Sequence, residues 1–289
     1  MSHYLDVFQS MWAMEQRRPD GLEHTPEEGV RMIADAGYAG IDLASTPDLA
    51  PTRDRYLEVI HDTDLDVTFT AFCSETDPLD PTIEAALGVR DRVRYINLIP
   101  RTLYWDLDEA AMWLTKWKAL GEAEGIPVYL ESHRQSMSTD LLFTIRLLNL
   151  LPDLRIVADL SHVMVTQEWT YPPLSHEEET LVEHLLRRAE SLQGRVASAQ
   201  QVQIPLGFPQ HAVWEEIFKG WWEKGMCWWR RRHAAEPDAR LVFLCELGPP
   251  PYAITGADGW ELSDRWQDAL TLKSWAQEIW ARLDRGVEG

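Results

Sequence analysis

Short β-branched apolar runs alternate with helical stretches along nearly the whole sequence, and this alternation restricts the fold more than any other feature. Eight runs can be counted: Leu5 to Met11, Gly40-Ile41-Asp42-Leu43, Leu65 to Phe72, Val93 to Ile99, one from Ile126, one from Leu154, Gly194-Arg195-Val196-Ala197-Ser198, and one from Leu241. The helical stretches carry their own start and stop signals. Thr25-Pro26-Glu27-Glu28 supplies an N-cap, a proline at the first helical position and acids in the first turn, and Ala36-Gly37 supplies a C-cap. Further helices are expected from Thr52 to His61, from Asp108 to Glu124, and from Ser138-Thr139-Asp140 to Leu151-Pro152. Others should start at Ser175-His176-Glu177-Glu178-Glu179, after a loop containing Pro172-Pro173, and near Trp214, with a last one from Asp264 to Leu283. Strands alternating with helices imply a parallel sheet. Eight such units in 289 residues fit an α/β fold of the (β/α)8 TIM barrel type, a single domain over residues 1–289. A doubly wound open sheet is the alternative, but no glycine-rich phosphate turn follows the first strand.

Three of the runs stop at an acid followed at once by polar residues. They are Val128-Tyr129-Leu130-Glu131-Ser132-His133-Arg134, Arg155-Ile156-Val157-Ala158-Asp159-Leu160-Ser161-His162 and Leu241-Val242-Phe243-Leu244-Cys245-Glu246-Leu247-Gly248. In a barrel the active site occupies the C-terminal ends of the strands, so Glu131, Asp159 and Glu246 are expected on one face. Acids gathered in a dry cleft need a counter-charge, and the usual one is a divalent cation. A single such ending would more simply be a solvated charge at a strand end.

Composition narrows the function. The net charge of −20 repels phosphate backbones, which disfavours nucleic acid and anionic membranes as partners. The basic stretch Trp228-Trp229-Arg230-Arg231-Arg232-His233 fits a helix C-terminus better than a nucleic-acid patch. No run reaches the ~20 apolar residues of a membrane span, and no secretory leader is visible at Met1-Ser2-His3-Tyr4-Leu5-Asp6, so a cytoplasmic location is expected. Cys73, Cys227 and Cys245 are too scattered for a disulfide framework or a thiolate site. Most of the 14 tryptophans are expected to pack outer helices, as at Trp113 and Trp117 or at Trp275.

Glu131-Ser132-His133-Arg134, Asp159-Leu160-Ser161-His162 and Glu246-Leu247-Gly248-Pro249-Pro250-Pro251-Tyr252, set in this strand order, resemble the xylose-isomerase-like TIM barrels, the sugar phosphate isomerase/epimerase superfamily. The similarity covers essentially the whole chain. It implies one divalent cation, Mn2+ or Mg2+ first and Co2+ or Zn2+ as alternatives, held by a Glu, an Asp, a His and a second Glu. By position these are Glu131, Asp159 and Glu246, while Gln193 stands where the family places its histidine, two residues before Arg195. An amide oxygen suits hard cations better than borderline ones. Ser198 and Gln200 are nearby substitutes for that ligand.

The resemblance implies an isomerase or epimerase of a sugar-like polyol or its keto form, with Glu131 and Glu246 exchanging a proton beside a metal-polarised carbonyl. A lyase or dehydratase on the same site, or a non-catalytic barrel with a degenerate metal site, are the alternatives. An apurinic endonuclease with a zinc cluster would need strand-end histidines and a basic groove, which the chain does not offer. His133 and His162 are further candidates for catalysis, and Arg134 and Arg195 for anchoring substrate oxygens or a phosphate. Trp12 and Tyr252 are candidates for the pocket wall. Each has a structural alternative: a satisfied core histidine, an ion pair on the barrel face, a packed aromatic or a rigid surface turn. A sugar-like small molecule is the expected partner, and the outer helices leave room for a homo-oligomer.

Overall fold

The computed structural model describes residues 2–16, 23–46, 49–76, 78–169 and 172–286. Strands β1 (Tyr4–Ser10), β2 (Gly40–Ser45), β3 (Asp66–Cys73), β4 (Val93–Pro100), β5 (Val128–Glu131), β6 (Ile156–Ala158), β7 (Ala189–Gly194) and β8 (Arg240–Cys245) close into a parallel barrel in chain order. The β1–β8 seam runs from Tyr4 opposite Arg240 to Gln9 opposite Cys245. Among the described residues the outer layer consists of α1 (Pro26–Asp35), α2 (Ala50–Ile60), α3 (Asp80–Gly88), α4 (Leu107–Ala123), α5 (Leu141–Leu150), α6 (Leu160–Gln167), α7 (His176–Leu186), α8 (Ala212–Arg232) and α9 (Arg265–Asp284). The architecture is the expected (β/α)8 TIM barrel. None of these helices is long and apolar enough to cross a membrane.

The local signals act as their chemistry requires. Thr25 and Ser175 each form a reciprocal capping box, with Glu28 and Glu178 respectively. Gly37, just past the end of α1, sits at φ 70°, where a side chain would be strained. The stretch Arg230-Arg231-Arg232 is the last turn of α8, and Arg230 and Arg232 pair with Asp284 and Glu190. Cys73 and Cys245 are buried core residues.

Three expectations change. The seventh strand lies earlier than the apolar pattern indicates, at Ala189–Gly194 instead of Gly194 to Ser198. Polar Glu190, Ser191 and Gln193 interrupt its hydrophobic run: Ser191 and Gln193 face the polar barrel interior, while Glu190, on the opposite face, pairs with Arg232 and His233. Helix α3 fills a connection that carries no strong sequence signal. The loop expected after the sixth strand begins instead as α6, with Asp159 as its N-cap; Thr170 and Tyr171, further along that loop, lie outside the described residues.

Successive strand residues point to opposite faces, and this divides the core in two. Ile41, Val67, Phe69, Ile96, Leu98, Val128, Leu130, Ile156, Leu192, Leu241 and Phe243 belong to the large apolar cluster beneath the helices. Their alternates turn inward. Phe8, Tyr95, Val157, Val242 and Leu244 form a separate small apolar cluster that plugs the barrel. Nearer the C-terminal rim the inward positions are polar: Asp42 on β2, Thr68 and Thr70 on β3, Asn97 on β4, Glu131 on β5 and Gln193 on β7 are all at most 3% exposed. Two residues beyond Val157, Gln193 and Leu244, the same inward direction leads to Asp159, Arg195 and Glu246.

Candidate active site

The inward polar residues form a continuous hydrogen-bonded belt. Thr68 and Thr70 donate to the Asp42 carboxylate at 2.8 and 3.0 Å, and Asn97 Nδ2 donates to Thr70 Oγ1 at 3.2 Å. Asn97 also donates to Glu131 Oε2, which takes a second bond from Gln193 Nε2 at 3.1 Å. Burial pushes the Asp42 carboxyl up to about 7 against the lowering effect of the two threonines.

At the rim, Glu131, Asp159 and Glu246 converge: one carboxylate oxygen from each lies within 4.8 Å of the others. They are 0%, 0% and 8% exposed. Three acids from β5, β6 and β8 thus share one small volume, close enough for a single ion with bonds of roughly 2.0–2.6 Å. A second candidate group, Glu131 with His133 and His162, meets the same 4.8 Å limit and shares Glu131 with the first. Of the candidates around the seventh strand, Gln193 is the one beside Glu131. Ser198 Oγ is engaged with Gln201 Oε1 at 2.6 Å, and Gln200 is exposed.

The sequence gives no sign of how Arg195 is placed. It is 1% exposed, and its Nη2 donates to Asp159 Oδ2 at 2.6 Å and to Glu246 Oε2 at 2.8 Å. One guanidinium nitrogen therefore already bridges two of the three acids. Asp159 takes most of the benefit. Burial would raise its carboxyl, but Arg195, His162 and the Ser161 hydroxyl hold it down at about 2. For Glu246 burial wins over Arg195 and pushes the carboxyl up to about 8. Glu131, fully buried beside the other two acids, is raised well above the carboxylate range.

The donor set fits a hard divalent cation. Glu131 Oε1 and Gln193 Oε1 are buried with no hydrogen-bond partner, and carboxylate and amide oxygens are the ligands such ions take. Arg195 is the internal competitor for the remaining two carboxylates.

Above this floor opens a cavity of about 390 Å³, a volume suited to a small polar metabolite. Glu246, Arg195, Arg134, His133, Trp12 and Tyr252 line it, together with Asp42, Thr70 and Arg101. Glu131, Asp159, Gln193 and His162 do not. His162 is 1% exposed behind His133, with ring centroids 3.9 Å apart, and neither of its ring nitrogens has a hydrogen-bond partner. Burial keeps both imidazoles neutral, His133 falling to about 4 and His162 held well below the ordinary histidine range. Trp12, in the turn after β1, meets the Tyr252 ring edge-on at 4.9 Å. Gly248 makes room for it, since a Cβ there would lie 2.3 Å from the Trp12 ring. Gln203 fastens the two loops around this contact by bonding both Gly248 N and Gly248 O, at 2.7 and 3.0 Å.

Asp42, Thr70, Asn97 and Arg101 went unrecognised in the sequence. The signal for Asp42 was an acid in the middle of an apolar strand, at the inward parity.

No family model matches the chain, and no curated protein matches it. Solved structures do. A xylose isomerase-like TIM barrel protein from Mycobacterium smegmatis, in complex with magnesium, is 12% identical with a TM-score of 0.58, over 95% of this chain and 97% of that one. An L-ribulose 3-epimerase aligns at 12% identity and a TM-score of 0.58 over 98% of both chains. The probable 3-DHS dehydratase AsbF from Bacillus anthracis aligns at 14% identity and 0.52, over 95% and 98%. At these identities the likeness is one of fold alone, the closed (β/α)8 TIM barrel.

Proposed function

We propose that the chain is a divalent-metal-dependent isomerase or epimerase acting on a sugar or sugar-like polyol and its keto form. The observation that carries this reading is the meeting of Glu131, Asp159 and Glu246 within 4.8 Å beneath a polar cavity. Glu131, Asp159, Glu246 and the free amide oxygen of Gln193 are the residues that would hold the ion, with Mg2+ or Mn2+ preferred by this all-oxygen set. When bound, the ion supplies Lewis acidity that polarises a carbonyl and its neighbouring hydroxyl.

The chain's own groups do the rest. Glu246, on the cavity wall, is the residue placed to take or return a proton at the carbon beside the carbonyl. Glu131 is its partner in the reading and lies deeper, held by Asn97 and Gln193. Proton transfer of this kind contributes on the order of 10²–10⁴ in rate. Neutral His133, whose Nδ1–H donates to the Arg134 carbonyl, can accept from a substrate hydroxyl at Nε2, and His162 buttresses it from behind. Trp12 and Tyr252 exclude water from one side of the sugar ring.

A second reading keeps the site and changes the outcome. The dehydratase among the structural neighbours supports a lyase or dehydratase, in which the same deprotonated carbon expels a leaving group. Incubation with a panel of ketoses and aldoses in deuterated solvent, with Mn2+ present, tests both. Recovered sugar carrying solvent deuterium is the expected result, lost in Glu246→Gln and Glu131→Gln. An unsaturated product selects the dehydratase instead, and no exchange with any substrate overturns the catalytic reading.

A further inference from the structure

Among the described residues, two guanidiniums on the cavity wall have no acid within ion-pair distance. Arg101 follows β4 and Arg134 follows β5, so they stand on neighbouring loops of the same rim, and both line the cavity. The chain carries 47 acids against 27 basic residues, and several of its arginines are paired with carboxylates. Arg53, Arg94, Arg187 and Arg282, for example, each have a carboxylate within ion-pair distance. Among the described residues neither Arg101 nor Arg134 has a carboxylate within such reach, and neither side chain donates a hydrogen bond.

What holds them is aromatic. The Arg101 guanidinium lies 4.5 Å from the centroid of the Phe72 ring, and that of Arg134 lies 5.0 Å from Tyr252. Stacking fixes the plane of a guanidinium and leaves its edge, with the N–H fork, unspent. The acids near the cavity are committed elsewhere. Asp42 accepts from Thr68 and Thr70, and Glu246 accepts from Arg195. With all three floor acids ionised, one guanidinium would leave two negative charges, which a bound divalent cation would cancel. The rim then remains doubly positive inside an otherwise acidic protein.

We infer that Arg101 and Arg134 form an anion clamp, and that the substrate is an acidic polyol, a sugar acid or a sugar phosphate, not a neutral sugar. The inference rests on the cavity being the substrate site proposed above. A carboxylate or phosphate engages a guanidinium fork through paired charge-assisted hydrogen bonds, which a neutral hydroxymethyl end cannot match. With the acidic end held at the β4–β5 side, the polyol chain extends over Glu246 and Arg195 toward Trp12.

Three six-carbon probes share a carbon chain and differ at one end: D-glucitol (neutral), D-gluconate (carboxylate) and D-glucitol 6-phosphate. Calorimetric titration of the Mn2+-loaded protein should show one or both anions binding more tightly than glucitol, by on the order of tenfold or more. Which anion leads tells carboxylate from phosphate. The double variant Arg101→Gln/Arg134→Gln should lose the preference, and Arg101→Lys/Arg134→Lys should keep part of it. Equal affinity for glucitol and the anions, a preference that survives loss of both arginines, or no binding of any probe overturns the clamp. Titration of Mn2+ alone is read separately. Should the metal fail to bind while the arginine-dependent preference persists, the metal-dependent reaction falls and the clamp stands.

Discussion

Replacing Arg195 by methionine removes the only positive charge bonded to both Asp159 and Glu246 in the described structure, at 2.6 and 2.8 Å. Breaking a buried ion pair by deleting one partner typically costs about 3–5 kcal/mol, because the other charge is left without compensation. Arg195 is not itself fully satisfied, since its Nε and Nη1 are buried without partners. Unmet donors of this kind cost about 1–3 kcal/mol each, so the net loss belongs at the lower end, about 3 kcal/mol. For a chain of this size that is a fall in melting temperature of roughly 6–12 °C. The loss should grow with pH. Burial lifts Glu246 to about 8 even with Arg195 lowering it, and without the guanidinium the carboxyl keeps its proton to higher pH. The two proteins therefore diverge as pH rises through about 8, where only the wild type gains an ionised, paired Glu246.

The same change frees two carboxylates for metal. A cation present at a thousand times its dissociation constant stabilises the folded state by about 4 kcal/mol. In the wild type part of that gain is spent displacing Arg195, whereas in Arg195→Met none is. Thermal melts at pH 8.5, with chelator and then with Mn2+, should therefore show a variant that is weaker than the wild type without metal and gains more from it. A variant melting within about 2 °C of the wild type in chelator, or equal gains from Mn2+ in both proteins, would refute the idea that guanidinium and ion compete for the same oxygens.

Gln193→His should raise affinity for Zn2+ and Co2+ more than for Mg2+, by on the order of tenfold, because imidazole suits borderline ions and an amide oxygen suits hard ones; calorimetry with each metal measures it. Gly248→Ala should cost about 1–3 kcal/mol and shift the tryptophan emission, since its Cβ would lie 2.3 Å from the Trp12 ring; unchanged stability and emission would show that Trp12 is not packed there. His233 donates to Glu190, which raises the imidazole, while burial of Glu190 is outweighed by His233 and Arg232, which lower the carboxyl. The raised His233 contributes stability present below pH 6.5 and lost as pH rises through its folded value. The lowered Glu190 contributes stability present above pH 4.5 and lost on acidification. Denaturant unfolding across pH 5–9 should therefore decline on the alkaline side of roughly 6.5, and His233→Gln should flatten that decline.

The barrel was legible because its outward strand residues are apolar and its helices carry caps, as at Thr25 and Ser175. The rim acids were legible where an apolar run stops on one, as at Glu131, Asp159 and Glu246. The pattern failed where inward residues are polar. Ser191 and Gln193 broke the seventh run and displaced its apparent position by several residues, and Asp42 passed as part of a strand. Parity helps here: counting by twos from Tyr95 leads to the belt residue Asn97, from Ser191 to Gln193 and then Arg195, and from Val242 through Leu244 to the rim acid Glu246. Asp159 hid a different feature, because a strand-ending acid can also cap the helix that follows, and α6 starts on it.

Parity does not recover the role of Arg195. Its partners lie 36 and 51 residues away, and only closure of the barrel brings them together. Converging acids, read from the strand ends alone, call for a cation from outside. The fold shows that the chain carries one of its own, which cancels one of three charges and leaves Glu131 Oε1 and Gln193 Oε1 without donors. Buried oxygens without partners are costly. The same condition is met in this chain by Gln9 Oε1 and Asn97 Oδ1, so it is their position beside the three acids that gives Glu131 Oε1 and Gln193 Oε1 their weight. Two unsatisfied oxygens beside a cluster in which one guanidinium faces three acids support the cation site proposed above.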